Sequence, residues 1–163
     1  MKTRKHLGDS GYTAWLGKGR IQKTDPRIEA VGDVDEAQAA IALCLPLLGG
    51  NLADRLSSEV ACMRLLMAQL MSPVVVVNSL EFRLESLDEW EKELNGLVPE
   101  LSHFYEPGSN PVEAQLNFAR TVIRRAERHC HLITVDLPSN FWVITAYLNR
   151  LSSVLFLLSQ VKA

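Results

Sequence analysis

The most distinctive candidate for chemistry is a run of arginines in the segment "ARTVIRRAERH", residues 119–129. Arg120 and Arg124 are four residues apart, so on a helix they lie on one face, and Glu127 follows three residues later. Arginine carries a permanent charge and a planar fork of donors that suits phosphate oxygens. The run is therefore a candidate site for a polyanion such as a triphosphate. The alternative is a solvated helix face with ion pairs inside the helix.

A second candidate anion site is the glycine-rich stretch "GDSGYTAWLGKGR", residues 8–20. A P-loop needs four residues between its first glycine and the Gly-Lys pair, followed by Ser or Thr. Here five residues separate Gly11 from Gly17, and Gly19 follows Lys18. The stretch is therefore either an ordinary turn region or a nucleotide loop of another architecture.

Other candidate residues have ordinary structural explanations as well. Asp35 lies at the predicted start of a helix, where the helix dipole favours an acid, and it could also pair with an arginine. Asn149 is an amide within an apolar helical pattern, and Phe104 is an aromatic residue in a predicted loop. The "HCH" segment at 129–131 is disfavoured as a metal site, because adjacent residues on a helix point in different directions. No Ser-His-Asp or Cys-His order predicts a nucleophile, since Cys130 lies on an apolar face.

The composition is typical of a soluble globular protein. The 163 residues fit one domain, and 47% of them are hydrophobic and 22% charged. A formal net charge of −2 gives no reason to expect nucleic acid or an anionic membrane as a partner. Three cysteines without a CxxC spacing predict reduced thiols in the cytosol. The longest uncharged stretches fall short of the ~18 apolar residues that span a bilayer, so a cytoplasmic location is expected.

The spacing of apolar residues predicts an antiparallel bundle of about five helices that carries these side chains. The predicted helices cover residues 34–48, 52–71, 80–94, 116–133 and 139–161. The fourth pattern is the most regular, with apolar residues alternating at three and four. Residues 1–33 lack sustained periodicity and are predicted to be a loop region before a bundle over 34–161, all within a single domain over 1–163. The valine run at 74–77 could alone form a short strand.

Four blocks follow one another along nearly the whole chain: "GDSGYTAWLGKGRIQKTDPRIEAVGDVDE", "FYEPG", "LNFARTVIRRAERH" and "YLNRLSSVLFLLS". In order and spacing they resemble the PduO-type ATP:cob(I)alamin adenosyltransferases. The resemblance implies an all-α homotrimer with active sites between subunits and a glycine-rich nucleotide loop before the bundle. It also implies transfer of the 5′-deoxyadenosyl group of ATP to the cobalt of cob(I)alamin, giving adenosylcobalamin and triphosphate. Cobalt is then the nucleophile, so the protein supplies positioning and electrostatic stabilisation.

The resemblance implies roles for individual residues. It matches the family's nucleotide-binding residues to Gly8, Asp9, Gly11, Thr13, Lys23, Arg124, Arg125, Glu127, Arg128 and Asn149. Arg124 would contact a triphosphate oxygen, and Asp35 would pair with Arg120 on the corrinoid side of the site. Phe104 would occupy the lower face of the corrin and favour a four-coordinate Co(II), which is easier to reduce. Mg²⁺ is expected with the triphosphate, held mostly by phosphate oxygens and water.

The chain departs from the family pattern at several positions. It reads "TRKHLGD" where the family has Thr-(Arg/Lys)-Thr-Gly-Asp, and Gln38, Ser109 and Ser153 replace an asparagine, a glycine and an acid. An active transferase is the main prediction, because the arginine run is retained. The alternative is a non-catalytic trimer of the same fold that binds, delivers or senses a corrinoid or nucleotide. A reductase or an adenosylcobalamin-dependent enzyme would be a further partner.

Overall fold

The computed structural model describes residues 7–16, 19–71, 78–98, 108–133 and 141–161, and five α-helices account for most of them. The helices are α1 (Pro26–Ala42), α2 (Gly50–Leu70), α3 (Asn78–Asn95), α4 (Pro111–Ile133) and α5 (Trp142–Gln160). Two short strands, β1 (Tyr12–Ala14) and β2 (Arg20–Gln22), form an antiparallel hairpin with Thr13 opposite Ile21. Short 3₁₀ helices cover Leu7–Ser10 and Leu45–Leu47. The predicted all-α bundle is confirmed, with the small hairpin as an addition.

The first helix begins at Pro26, so its predicted start at residue 34 is wrong. Asp25 caps it, because the Asp25 carboxylate accepts a hydrogen bond from the backbone N–H of Arg27 at 2.9 Å. Pro26 occupies the first helical position, where its missing N–H leaves no bond unmade. The buried positions of this helix include several alanines and Asp33, which give little hydrophobic contrast. With this composition, the apolar residues at the start of the helix do not show a clear helical period.

Several predicted features fall outside the described residues. They are the valine run at 74–77, Phe104 and the altered segment at 3–6. The roles implied for them stay predictions.

The core forms where α4 packs between α1 and α5, with α3 against α5 and α2 against α1. The buried side of α4 follows the predicted alternation of three and four. Its apolar members are Leu116, Ala119, Val122, Ile123, Ala126, Cys130 and Ile133. This helix therefore holds its arginines on the sides of a well-packed apolar stripe.

Helix α5 is long and apolar enough to cross a membrane by length and composition, which the sequence analysis did not expect of any segment. Its most apolar window has a mean hydropathy of 1.3, and 67% of that window is buried inside the protein. Because α5 packs against both α3 and α4, its apolar character is explained by its place in the core.

A buried polar network connects α2 to α3 and α5. Glu59 is 2% exposed, and its carboxylate accepts hydrogen bonds from the Tyr147 hydroxyl at 2.8 Å and from Arg83 at 3.3 Å. Burial raises the pKa of Glu59, while the hydrogen bond from Tyr147 acts in the opposite direction. Nearby, Arg55 lies 4.3 Å from the centre of the Trp90 ring. The network is structural, because its members find their partners within the chain.

Candidate functional site

A cavity of about 420 Å³ lies between α3, α4 and α5 and includes two of the predicted site arginines. Its lining residues are Arg120 and Arg124 from α4, Glu91 and Asn95 from α3, and Ser152, Ser153, Phe156 and Leu157 from α5. Among the described residues, neither arginine forms an ion pair with a carboxylate. A wall with two unneutralised guanidinium groups suits an anionic ligand.

Arg120 is half-buried at the edge of this cavity. Its Nε donates a hydrogen bond to Asn117 at 2.8 Å, and its guanidinium lies 5.9 Å from the centre of the Phe156 ring. Burial and the nearby charge of Arg124 lower the pKa of Arg120. The two guanidinium groups therefore repel each other, and an anion bound between them would relieve that repulsion.

Arg124 is exposed, whereas the other predicted nucleotide ligands of α4, Arg125, Glu127 and Arg128, lie outside the cavity lining. The Arg124 carbonyl accepts a hydrogen bond from the exposed Arg128 side chain at 3.1 Å. The Oε1 atom of Glu127 lies 3.8 Å from Nε2 of His131. Arg124 is thus the predicted triphosphate ligand that the structure leaves most accessible within this cavity.

Arg125 faces α1 and is held there by two carboxylates. Its Nε donates to Asp33 at 2.8 Å, and its Nη2 donates to Glu36. These hydrogen bonds raise the pKa of Arg125, and the bond to Glu36 contributes more than the bond to Asp33. The predicted contact between Arg125 and ATP would have to use the guanidinium N–H donors that remain, because Nε and Nη2 are bonded to carboxylates. In this arrangement Arg125 joins α1 to α4.

Asp35 is exposed on α1 and makes no ion pair with Arg120 within the described chain. Arg120 instead lines the cavity between α3, α4 and α5. The predicted pair is therefore not made inside one chain, and it would have to connect two chains.

The glycine-rich segment folds so that Lys23 lies next to Gly8 and Gly11. A Cβ atom added to Gly8 would lie 3.2 Å from the Lys23 ammonium nitrogen, so the lysine rests directly on this glycine. The Lys23 backbone N–H donates to the Gly11 carbonyl at 2.9 Å, and Gly11 has a φ of 79°, which favours glycine. Asp9 is exposed beside Gly8, and Thr13 lies in β1. This turn offers a lysine and backbone amides to a phosphate.

Asn149 lies on the exposed side of α5, next to the buried Leu148. Its backbone carbonyl accepts a hydrogen bond from the Ser152 hydroxyl at 2.7 Å. The following residue, Arg150, pairs with Asp88 at 2.5 Å and ties α5 to α3. The amide of Asn149 therefore faces the surface, where a ligand or another chain can reach it.

Sequence reasoning missed several residues of the cavity. Glu91 and Asn95 on α3 and Phe156 on α5 line it, but none was predicted as a site residue. Their spacing shows only that they lie on helices. Nothing local in the sequence indicates which polar residues of α3 face the arginines of α4, because that depends on how α3 docks on α5.

Comparisons with known proteins agree on one family. The family model described as cobalamin adenosyltransferase matches residues 2–162. A corrinoid adenosyltransferase of Mycobacterium tuberculosis is 37% identical over 163 residues, covering 94% of this chain and 84% of that protein. A cobalamin adenosyltransferase of Cupriavidus metallidurans is 36% identical, covering 98% of this chain and 87% of that protein.

A solved structure has the same fold along nearly the whole chain. It is a variant of the PduO-type ATP:corrinoid adenosyltransferase from Lactobacillus reuteri, complexed with cobalamin and ATP. It matches with a TM-score of 0.84 and 25% sequence identity, covering 95% of this chain and 90% of the other.

Proposed function

The chain belongs to the cobalamin adenosyltransferase family, and we propose that it is an ATP-dependent corrinoid adenosyltransferase. It transfers the 5′-deoxyadenosyl group of ATP to the cobalt of cob(I)alamin. The observation that carries the proposal is the cavity with Arg120 and Arg124, whose charges have no carboxylate partner among the described residues. This is the charge arrangement that a leaving triphosphate needs.

The reaction is a displacement at the 5′ carbon of ATP. The electron pair of Co(I) forms the cobalt–carbon bond, and the bond between C5′ and the triphosphate oxygen breaks with its electron pair leaving on triphosphate. Negative charge therefore grows on the triphosphate in the transition state. Arg124 is exposed at the cavity and has no ion-pair partner among the described residues, which supports its role as a donor to the triphosphate. Preorganised donors of this kind contribute about 10²–10³ in rate each.

A protein nucleophile is not required, and the cysteines are poorly suited to be one. Cys44 and Cys130 are fully buried, and burial raises the pKa of Cys44 to about 11 and that of Cys130 to about 12. Their thiols stay protonated at neutral pH, whereas the thiolate is the nucleophilic form. The chain therefore acts through binding and charge. Free thiols also suit the reducing cytoplasm that the sequence predicts.

The N-terminal turn supplies a second contact with the nucleotide. Lys23 and the backbone around Gly8 and Gly11 bind phosphate oxygens, and Asn149 binds the nucleotide from α5. Mg²⁺ accompanies the triphosphate and offsets its charge. Glu91 is the one acidic residue among the described residues that line the cavity, so phosphate oxygens and water hold most of the coordination sphere of the ion.

The active assembly is a homotrimer with sites between subunits. Asp35 is exposed and forms no ion pair with any described residue of its own chain, and an ion pair between Asp35 of one subunit and Arg120 of the next gives both groups a role. Phe118 and Leu132 on α4 are 51% and 71% exposed, which supports burial of this helix against another chain. As the family resemblance implies, Phe104 would occupy the lower face of the corrin and favour four-coordinate Co(II).

An anaerobic visible-spectrum assay tests the proposal, using purified protein, chemically reduced cob(I)alamin, ATP and Mg²⁺. We expect the Co(I) spectrum to convert to that of adenosylcobalamin only when both ATP and protein are present. Omission of ATP is the control for uncatalysed oxidation. Binding of ATP or corrinoid without conversion would contradict catalysis and favour a carrier or sensor. This alternative is tested because Ser153 replaces a family acid in the cavity lining.

A further inference from the structure

A separate group of metal-binding side chains lies between α1 and α4, away from the arginine cavity. Glu29 and Asp33 on α1 and His129 on α4 each offer one ligand atom, and these atoms lie within 4.8 Å of one another. Glu29 and Asp33 are four residues apart, so both face α4 from the same side of α1. The "HCH" pattern did not reveal this group, because His129 converges with carboxylates of another helix and not with its neighbours in sequence.

Asp33 orients the imidazole of His129. Asp33 is 6% exposed, and one of its oxygens accepts from Arg125 at 2.8 Å while the other contacts Nδ1 of His129. In the neutral imidazole, a carboxylate partner at Nδ1 favours the tautomer with its hydrogen on Nδ1, which leaves the lone pair of Nε2 for a ligand. A carboxylate behind a histidine is the usual outer partner in metal sites, where it fixes the ring and increases its basicity.

The cavity next to this group has room for an ion and its water ligands. It measures about 260 Å³ and is lined by Glu29 and His129 together with Thr24, Pro26 and Leu132. No lysine or arginine is among these lining residues. Glu29 is exposed, and its carboxylate has no hydrogen bond or ion pair within the part of the chain that the structure describes. It is therefore free to turn towards an ion at Nε2 of His129.

We propose that Glu29 and His129 bind a divalent transition-metal ion of the Zn²⁺ or Ni²⁺ type, with Asp33 as the positioning partner of His129. A nitrogen ligand beside a carboxylate suits these ions, whereas Mg²⁺ prefers oxygen ligands alone. The bound ion connects α1 to α4 and needs neither ATP nor corrinoid. Only two protein ligands hold the ion, and the positive charge of Arg125 is bonded to Asp33 nearby. Both features weaken the binding of a cation, so we expect it to be reversible.

Zinc titration of the untagged, nucleotide-free protein tests this proposal. Calorimetry should show one Zn²⁺ per chain, and thermal unfolding should shift to higher temperature when Zn²⁺ is added. Glu29→Gln and His129→Gln should each weaken the affinity at least about tenfold. His131→Gln on the same helix and Glu89→Gln, an exposed acid on α3, are matched controls that should bind Zn²⁺ like the original chain.

Three results would overturn the proposal. They are the absence of saturable Zn²⁺ binding, the same affinity in Glu29→Gln and His129→Gln as in the original chain, and displacement of Zn²⁺ by Mg²⁺ at equal concentration. Circular dichroism shows whether each variant is folded. If His129→Gln unfolds, Glu29→Gln decides alone, since Glu29 is exposed and its replacement leaves the contacts of Asp33 in place.

Discussion

The two sides of α4 carry arginines in opposite electrostatic situations. On the side that faces α1, Arg125 is bonded to Asp33 and Glu36. On the side that faces α3 and α5, Arg120 and Arg124 line a cavity without an ion-pair partner among the described residues. Arg124 and Arg125 are adjacent, so they point about 100° apart around the helix. Arg125 therefore holds two helices together, whereas Arg124 faces the cavity that we propose binds the triphosphate.

The buried network around Glu59 shows the same principle in its structural form. Tyr147 and Arg83 satisfy the Glu59 carboxylate inside the protein. A charge that is fully bonded within the chain contributes to the fold, and removal of one partner leaves the other buried without compensation. Removal of a charge without such a partner changes the free energy of unfolding little, and it weakens the binding of the ligand instead. Three substitutions test this distinction.

The largest effect is expected from Arg124→Ala. It should lower kcat/KM at least about 100-fold, because it removes the proposed donor to the leaving triphosphate. The free energy of unfolding should change by no more than about 0.5 kcal/mol, since the side chain is exposed. Steady-state kinetics and urea unfolding measure both, with Arg64→Ala on the exposed side of α2 as the control. A variant that keeps activity within about threefold of the original would contradict the proposed role.

Arg125→Ala should have the reverse profile, with stability affected more than chemistry. It leaves the carboxylate of Asp33, which is 6% exposed, without its guanidinium partner. We expect a loss of about 1–3 kcal/mol in the free energy of unfolding, below the range for fully buried pairs because the Arg125 side chain is 37% exposed.

A double-mutant cycle with Asp33→Asn identifies the source of that loss, since the two substitutions should be less than additive if the pair accounts for it. Unchanged stability together with a higher KM for ATP would instead make Arg125 a nucleotide ligand, as the family resemblance implies.

Tyr147→Phe should cost about 1.5–3 kcal/mol, because it removes the hydroxyl that donates to the buried Glu59 carboxylate. The cost should grow with pH. Burial raises the pKa of Glu59 above its ordinary value of 4.5, so the stabilising protonation is present below pH 4.5 and is lost as pH rises through the folded-state pKa. Without Tyr147 that pKa rises further, and ionisation costs more.

Urea unfolding at acidic and neutral pH measures this trend. Tyr12→Phe in the exposed hairpin is the control, with an expected change below about 0.5 kcal/mol. A Tyr147→Phe cost that is the same at both pH values would show that the hydroxyl does not stabilise the ionised carboxylate.

The sequence predicted the helices best where burial uses large apolar residues. In α4 the alternation of three and four was visible and is confirmed by the buried side of the helix. In α1 it was not, because alanines and Asp33 occupy buried positions, and the helix start at Pro26 was missed. Asp33 is buried only because Arg125 and His129 bond to it, and such a pair is invisible to a hydrophobic pattern.

The amino-acid sequence by itself determined the bundle of helices, the arginine run on the fourth of them and the glycine-rich stretch before the bundle, since each depends on residues close together along the chain. Only the tertiary structure determined that Arg125 connects two helices through its ion pairs, whereas Arg124 faces a cavity. The reason is distance along the chain: Asp33 and Arg125 are 92 positions apart, and their contact exists only once α1 docks on α4. Local spacing cannot encode which helix supplies a counter-charge, whereas packing settles it for each side chain separately.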